Sequence, residues 1–189
     1  RRIDPHVHFW VPGQNDLIWM TDDIKPDLFH TFLPPDAKKH LDRHNIEGVV
    51  KVQAGRTHAD NVWWLELADE YPYVLGVIGW IDFTNPAQAA GWLDEFSENS
   101  KFLGGRPMLE KEPDVDWVLL ESVKQTIAML AERDLILELL VGPRHLQHIP
   151  AIARRHPEMR ININHLAKPA VPDGSLDEWK RGMAAIAQC

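Results

Sequence analysis

The first residues able to do chemistry come as a pair. His6 and His8 stand two apart in Asp4-Pro5-His6-Val7-His8, and in an extended segment residues at that spacing share a face, with Asp4 next in the same row. Two imidazoles aimed at one point suit either ligation of a divalent ion or joint polarisation of a substrate carbonyl. His-x-His is common by chance, so its weight rests on where its strand ends. Arg106 follows Gly104 and Gly105, which admit close backbone approach, and its planar fork can hold a carboxylate, hydroxyls or a carbonyl oxygen. A rim salt bridge is the plain alternative. In Ile161-Asn162-Ile163-Asn164-His165, strict alternation puts Ile161, Ile163 and His165 on one inward face, and Lys168 follows in a turn stiffened by Pro169. Glu138 sits in the apolar run 135–141, where a carboxylate needs a cationic or metal partner. Gln53, Trp80 and Asp82 close their own apolar runs and are candidates for substrate contact.

These residues are placed by short apolar, β-branched runs that alternate with segments of helical period, the signature of an α/β fold with a parallel sheet. The pattern predicts strands over 3–8, 48–53, 74–81, 102–106, 135–141 and 160–165. Helices are predicted over 35–44, 59–70, 86–97, 117–133, 145–156 and 176–188, giving six βα units. Asn85-Pro86 and Ser175 mark helix starts, while Tyr71-Pro72 and His156-Pro157 mark stops. The candidate residues then lie at or near the C-terminal ends of their strands, where parallel α/β folds carry their sites. The stretch from Val11 to Pro34, about 24 residues with no helical or strand pattern, leaves the first strand at that end. It is expected to be a lid or pocket wall, with a surface loop packed on the rim as the alternative.

Composition removes several classes. A formal net charge of −8 without a dense Lys/Arg block argues against nucleic-acid or anionic-membrane partners, while eight tryptophans suit a pocket for a small-molecule substrate. The single cysteine, Cys189, forms no intrachain disulfide and fits a cytoplasmic location. No apolar run approaches membrane-spanning length and no leader-like segment opens the chain. A homo-oligomer is left open. His40 and His44 are expected on an outer helix face, and His145, His148 and His156 on the surface or at a helix end; His30 and His58 fall in loops.

Four motifs occur in order at successive strand ends: Ile-Asp-Pro-His-Val-His-Phe-Trp (3–10), Leu75 to Asp82, Gly-Gly-Arg (104–106) and Asn-His-Leu-Ala-Lys-Pro (164–169). Together they resemble the amidohydrolase-related sugar-lactone hydrolases, a likeness that runs along the whole chain. The resemblance implies a TIM-type (β/α)₈ barrel of which six βα units are present, strands seven and eight and an Asp on the last strand being expected outside this sequence. It implies a hydrolase of carbohydrate metabolism that opens a lactone, with His6, His8, Arg106 and His165 catalytic and Gln53, Trp80, Asp82 and Lys168 on the substrate. It also implies one divalent ion, Zn²⁺ or Mn²⁺, on His6, His8 and Glu138, or none. The departures are Val7, Pro107, Asn164 and Ala167, where such relatives often carry Gln, His, Asp and Gly. A metal-dependent decarboxylase of the same superfamily and a non-catalytic ligand-binding remnant are the alternatives.

Overall fold

The structure, a computed structural model, describes residues 2–169, 171 and 176–189. Six strands run in the order β1-β2-β3-β4-β5-β6, and β1 with β2, β2 with β3, β4 with β5 and β5 with β6 pair in parallel. They are β1 (Ile3–Val7), β2 (Gly48–Val52), β3 (Val74–Gly79), β4 (Phe102–Gly105), β5 (Ile136–Leu139) and β6 (Ile161–Ile163). The helices are α1 (Lys25–Leu28), α2 (Pro34–Arg43), α3 (His58–Glu70), α4 (Pro86–Ser97), α5 (Glu121–Glu132), α6 (Ile149–Arg155) and α7 (Asp177–Ile186). Contacts divide the chain into two compact units, Arg1–Trp80 with Asp94–Leu103, and Ile81–Leu93 with Gly104–Cys189.

In the first unit, Val49, Val52, Val74, Val77 and Ile78 are buried, with Trp64, Leu67 and Ala68 of α3 also inside. β-branched residues stiffen the strands and supply their apolar surface together. Helix α3 begins with a capping box: the Asp60 amide donates to Thr57 Oγ1 (3.1 Å), and the Thr57 amide donates to the Asp60 carboxylate (3.2 Å). In the second unit, Leu137 and Leu139 of β5 are buried, as are Val123, Ile127 and Leu130 of α5 and Leu146 and Ile149 near α6.

Helices α2 and α5 stop alike. Asn45 and Asp134 take left-handed φ of 54° and 52°, and the next amides reach back to Leu41 O (2.9 Å) and Leu130 O (3.0 Å). Asn and Asp tolerate that conformation better than most side chains, so the six-to-one closure forms without glycine. The Asn85-Pro86 start of α4 is observed, the Gln88 amide donating to Asn85 Oδ1 at 3.3 Å. Ser175, expected to cap the last helix, lies outside the described residues.

Several expectations need correction. The helix expected over 117–133 is a 3₁₀ turn, Trp117–Leu119, then α5, broken at Leu120 whose ψ of 138° is not helical. That expected over 145–156 is a 3₁₀ turn, Pro143–His148, followed by α6, because Pro150 has no amide to carry an α-helical ladder through. The stretch after β1 is not structureless. It contains α1, and its neck is pinched by an antiparallel bridge in which Trp10 and Phe32 exchange both backbone hydrogen bonds, 3.0 and 2.9 Å.

Candidate functional site

Strand β1 does not alternate strictly. Its register against β2 shifts between Asp4 and Val7, and Asp4 Oδ1 accepts the His6 amide at 3.1 Å. The irregularity still brings the imidazoles together: ring centroids lie 4.9 Å apart at 86°, and the two Nε2 atoms are 3.2 Å apart. His8 Nδ1 lies 2.8 Å from Val52 O, which has only lone pairs, so this nitrogen must carry the proton. In its neutral form His8 then presents a bare Nε2 lone pair to His6. Either His6 Nε2–H donates to it, or both lone pairs face one cation. The separation is compatible with both, since the edge of a tetrahedral site with Zn–N bonds near 2.1 Å is about 3.4 Å. Among the described residues no group of three or more His, Cys, Asp and Glu side chains is arranged to hold a metal. The pair therefore fits two positions of a coordination shell.

Aromatic rings back the pair. Trp10 stands 6.3 Å from His8, and Trp19 and Phe32 meet Trp10 edge-on at 5.8 and 5.1 Å. At the ends of β2 and β3, Gln53 is fully buried with its amide on Ile78 O (2.8 Å). Trp80 is fixed by Asn61, whose side-chain amide donates to Trp80 O (2.7 Å) while its carbonyl accepts the Trp80 amide (2.9 Å).

The second unit holds the other candidates. Gly104 is required: a Cβ there would lie 2.0 Å from Ile136 O. Gly104 pairs with Ile136 and Gly105 with Leu137, so the next step in register sets Arg106 beside Glu138. Both are buried, at 4 % and 2 % exposure. Burial pulls the Arg106 guanidinium down to about 10, and the Glu138 carboxylate acts in the opposite direction. Glu138 thus has the cationic neighbour its apolar strand demanded. Arg106 NH1 donates to Asn164 Oδ1 (3.1 Å), and Asn162 Nδ2 donates to Glu138 Oε2 (3.0 Å).

The alternation argued for His165 fails locally. Strand β6 ends at Ile163, and Ile161 and Ile163 line a depression with Ile149, Ala153, Met159 and Ile186 of the helical layer, while Asn162 and Asn164 meet Glu138 and Arg106. His165, Leu166, Ala167 and Lys168 then take left-handed φ between 47° and 57°, and His165 is exposed. The Lys168 ammonium pairs with Glu110 at 2.5 Å. Asp82 Oδ1 is taken up locally by the Thr84 amide (3.0 Å) and hydroxyl (2.6 Å).

His40 and His44 are exposed, as expected. His145, expected at the surface, is buried at 1 % exposure; its Nδ1 accepts the Gly142 amide at 3.1 Å, and burial lowers its pKa. Sequence reasoning missed Asn15, Asp60, Asn61 and Asn164, all buried polar residues. For Asp60 and Asn61 the signal was there, two polar residues after Thr57 at the head of an apolar helix.

Parallel βα units carrying a histidine pair on the first strand define a barrel-type amidohydrolase. Residues 3–189 match the amidohydrolase family model (Amidohydro_2), and the chain belongs to that family. It is 33 % identical to an L-fucono-1,5-lactonase of Burkholderia ambifaria over 98 % of its own length and 63 % of that protein's. The chain thus spans less than two thirds of this relative. An amidohydrolase from Burkholderia multivorans, solved with bound HEPES, superposes with a TM-score of 0.89 at 26 % identity, covering 99 % of this chain and 66 % of that one. A second crystal form of that target holds zinc and gives 0.88, with the same identity and coverage. A probable 2-pyrone-4,6-dicarboxylic acid hydrolase from Acinetobacter baumannii, TM-score 0.79, 16 % identity, covering 97 % of this chain and 66 % of that one, shows the fold alone. The fold is the TIM-type amidohydrolase barrel, of which this chain supplies six βα units.

Proposed function

We propose that this chain is part of a hydrolase that opens a lactone, a sugar-acid lactone or related cyclic ester. The observation that carries this is the 33 % identity to L-fucono-1,5-lactonase along 98 % of the chain. The chemistry adds one water: oxygen attacks the ring carbonyl, the acyl–oxygen bond breaks, and the departing alkoxide takes a proton. We assign His6, His8 and His165 to the carbonyl oxygen, with Arg106 orienting the substrate through its fork and Gln53, Trp80, Asp82 and Lys168 making further contacts. With His8 held in one tautomer by Val52 O, a proton carried on His6 Nε2 can be donated to an oxyanion in place of the His8 lone pair. Burial of Arg106 beside Glu138 keeps the fork desolvated and fixed. A divalent ion such as Zn²⁺ or Mn²⁺, if bound, would be held by His6 and His8 with Glu138 as a further candidate, and would supply Lewis-acid polarisation of that carbonyl. The zinc in one relative's crystal supports this option. A cytoplasmic location, a small-molecule substrate and a single barrel domain over 1–189 belong to the same proposal.

The test is a pH-indicator assay of the purified enzyme on a panel of aldonolactones, with mass analysis of the product. Ring opening adds one water and conserves carbon, whereas release of carbon dioxide would indicate the decarboxylase alternative. Binding without turnover would indicate the remnant.

A further inference from the structure

The loop between β1 and α2 is held at a second point besides its neck. Asn15 is buried at 9 % exposure. Its side-chain oxygen accepts the Val11 amide at 2.7 Å, and its amide nitrogen donates to Asp60 Oδ1 at 2.7 Å. Asp60, 2 % exposed, uses its other oxygen to accept from the Thr57 amide and hydroxyl at 3.2 and 2.9 Å. Every polar atom of the Asn15 and Asp60 side chains needed for the link is thereby used, and in one sense only, donor on Asn15 and acceptor on Asp60. The space for that carboxylate is reserved by Gly55, where a Cβ would lie 2.1 Å from Asp60 Oδ2. Between the two fastenings the loop carries Trp19, which meets Trp10 edge-on, and Trp10 in turn neighbours His8.

We propose that Asn15 and Asp60 form a clasp that holds the loop 11–31 as a fixed wall beside His8, making both positioning residues for substrate binding. The functional half rests on the lactonase proposal above. A loop pinched only at Trp10 and Phe32 could swing about its neck; fastened also to the first turn of α3, it cannot do so without breaking the buried, charge-assisted hydrogen bond from Asn15 to Asp60. The clasp acts on binding, since none of its atoms belongs to the histidine pair.

The clasp has a reciprocal test. Asp60→Asn sets donor against donor, Asn15→Asp sets carboxylate against carboxylate, and the double exchange N15D/D60N restores one donor facing one acceptor. Each single variant is expected to speed amide exchange across 11–31 about tenfold and to raise KM for the lactone about tenfold with kcat little changed. The double exchange returns both to near the wild-type values. Gly55→Ala, which displaces the carboxylate without altering any hydrogen-bonding group, reproduces the single-variant pattern. Should a single variant not fold, the exchange rate and KM of the double exchange and Gly55→Ala decide alone. The proposal is overturned if single variants exchange like wild type, if the double exchange is no better than they are, or if exchange responds while KM does not. A wild type that turns over no lactone defeats the functional reading and the KM half with it, while the exchange pattern still decides the clasp.

Discussion

Replacing Glu138 by Gln keeps the shape and one acceptor oxygen for Asn162 and removes the charge, so it tests what the carboxylate's charge does for Arg106. The guanidinium is 4 % exposed and burial draws it down to about 10 even with Glu138 beside it. That displacement reflects hydration not recovered inside the protein. Without the neighbouring charge the deficit grows, and breaking a buried pair from one side costs roughly 3–5 kcal/mol. For a chain of this length that is a fall of about 10 °C in Tm. The assay is urea unfolding followed by far-ultraviolet circular dichroism, run beside Arg106→Met and the double variant R106M/E138Q. The double variant, which buries no charge at this position, recovers most of the loss. A Glu138→Gln protein within about 0.5 kcal/mol of wild type, or a double variant no more stable than the single, would refute a buried charge pair.

Other outcomes follow from single observations. Asn61→Ala breaks both side-chain bonds to the Trp80 backbone and should cost about 2 kcal/mol by the same unfolding assay. Burial holds His145 below its ordinary 6.5, so the unfolded chain binds more protons there; stability present at neutral pH is lost as pH falls through 6.5 toward the depressed value, and His145→Gln should flatten that slope in unfolding measured between pH 7 and 5. Leu166 is 61 % exposed with φ of 52°, so Leu166→Val, a β-branched side chain in left-handed backbone, should lower stability by about 1 kcal/mol, whereas Leu166→Gly should not.

What could be read from sequence was what depends on neighbours along the chain. The His6–His8 convergence needs only a two-residue period, and it survives the irregular register of β1. Glu138 announced itself as a carboxylate in an apolar strand, and its neighbour Arg106 is one register step beyond Gly105 and Leu137. The clasp could not be foreseen because Asn15 and Asp60 are 45 positions apart and either residue alone suits a turn or a helix start. The turn at 165–168 escaped for another reason: four non-glycine residues in left-handed conformation have no signal in local propensity, and because Ile161 and Ile163 face the helical layer, alternation along β6 gave no guide to His165. His145, expected at the surface or a helix end, lies in the 3₁₀ turn that leads into α6 and is buried there.

The central claim is that lactone opening depends on the His6–His8 pair. It is tested most directly by measuring kcat/KM for aldonolactone hydrolysis by wild type, His6→Gln and His8→Gln, with the metal content of each protein measured in parallel. The account predicts turnover by wild type, product heavier than substrate by one water, and a loss of roughly 10²-fold or more in each variant. Wild-type turnover that persists within a few-fold in both variants would contradict it.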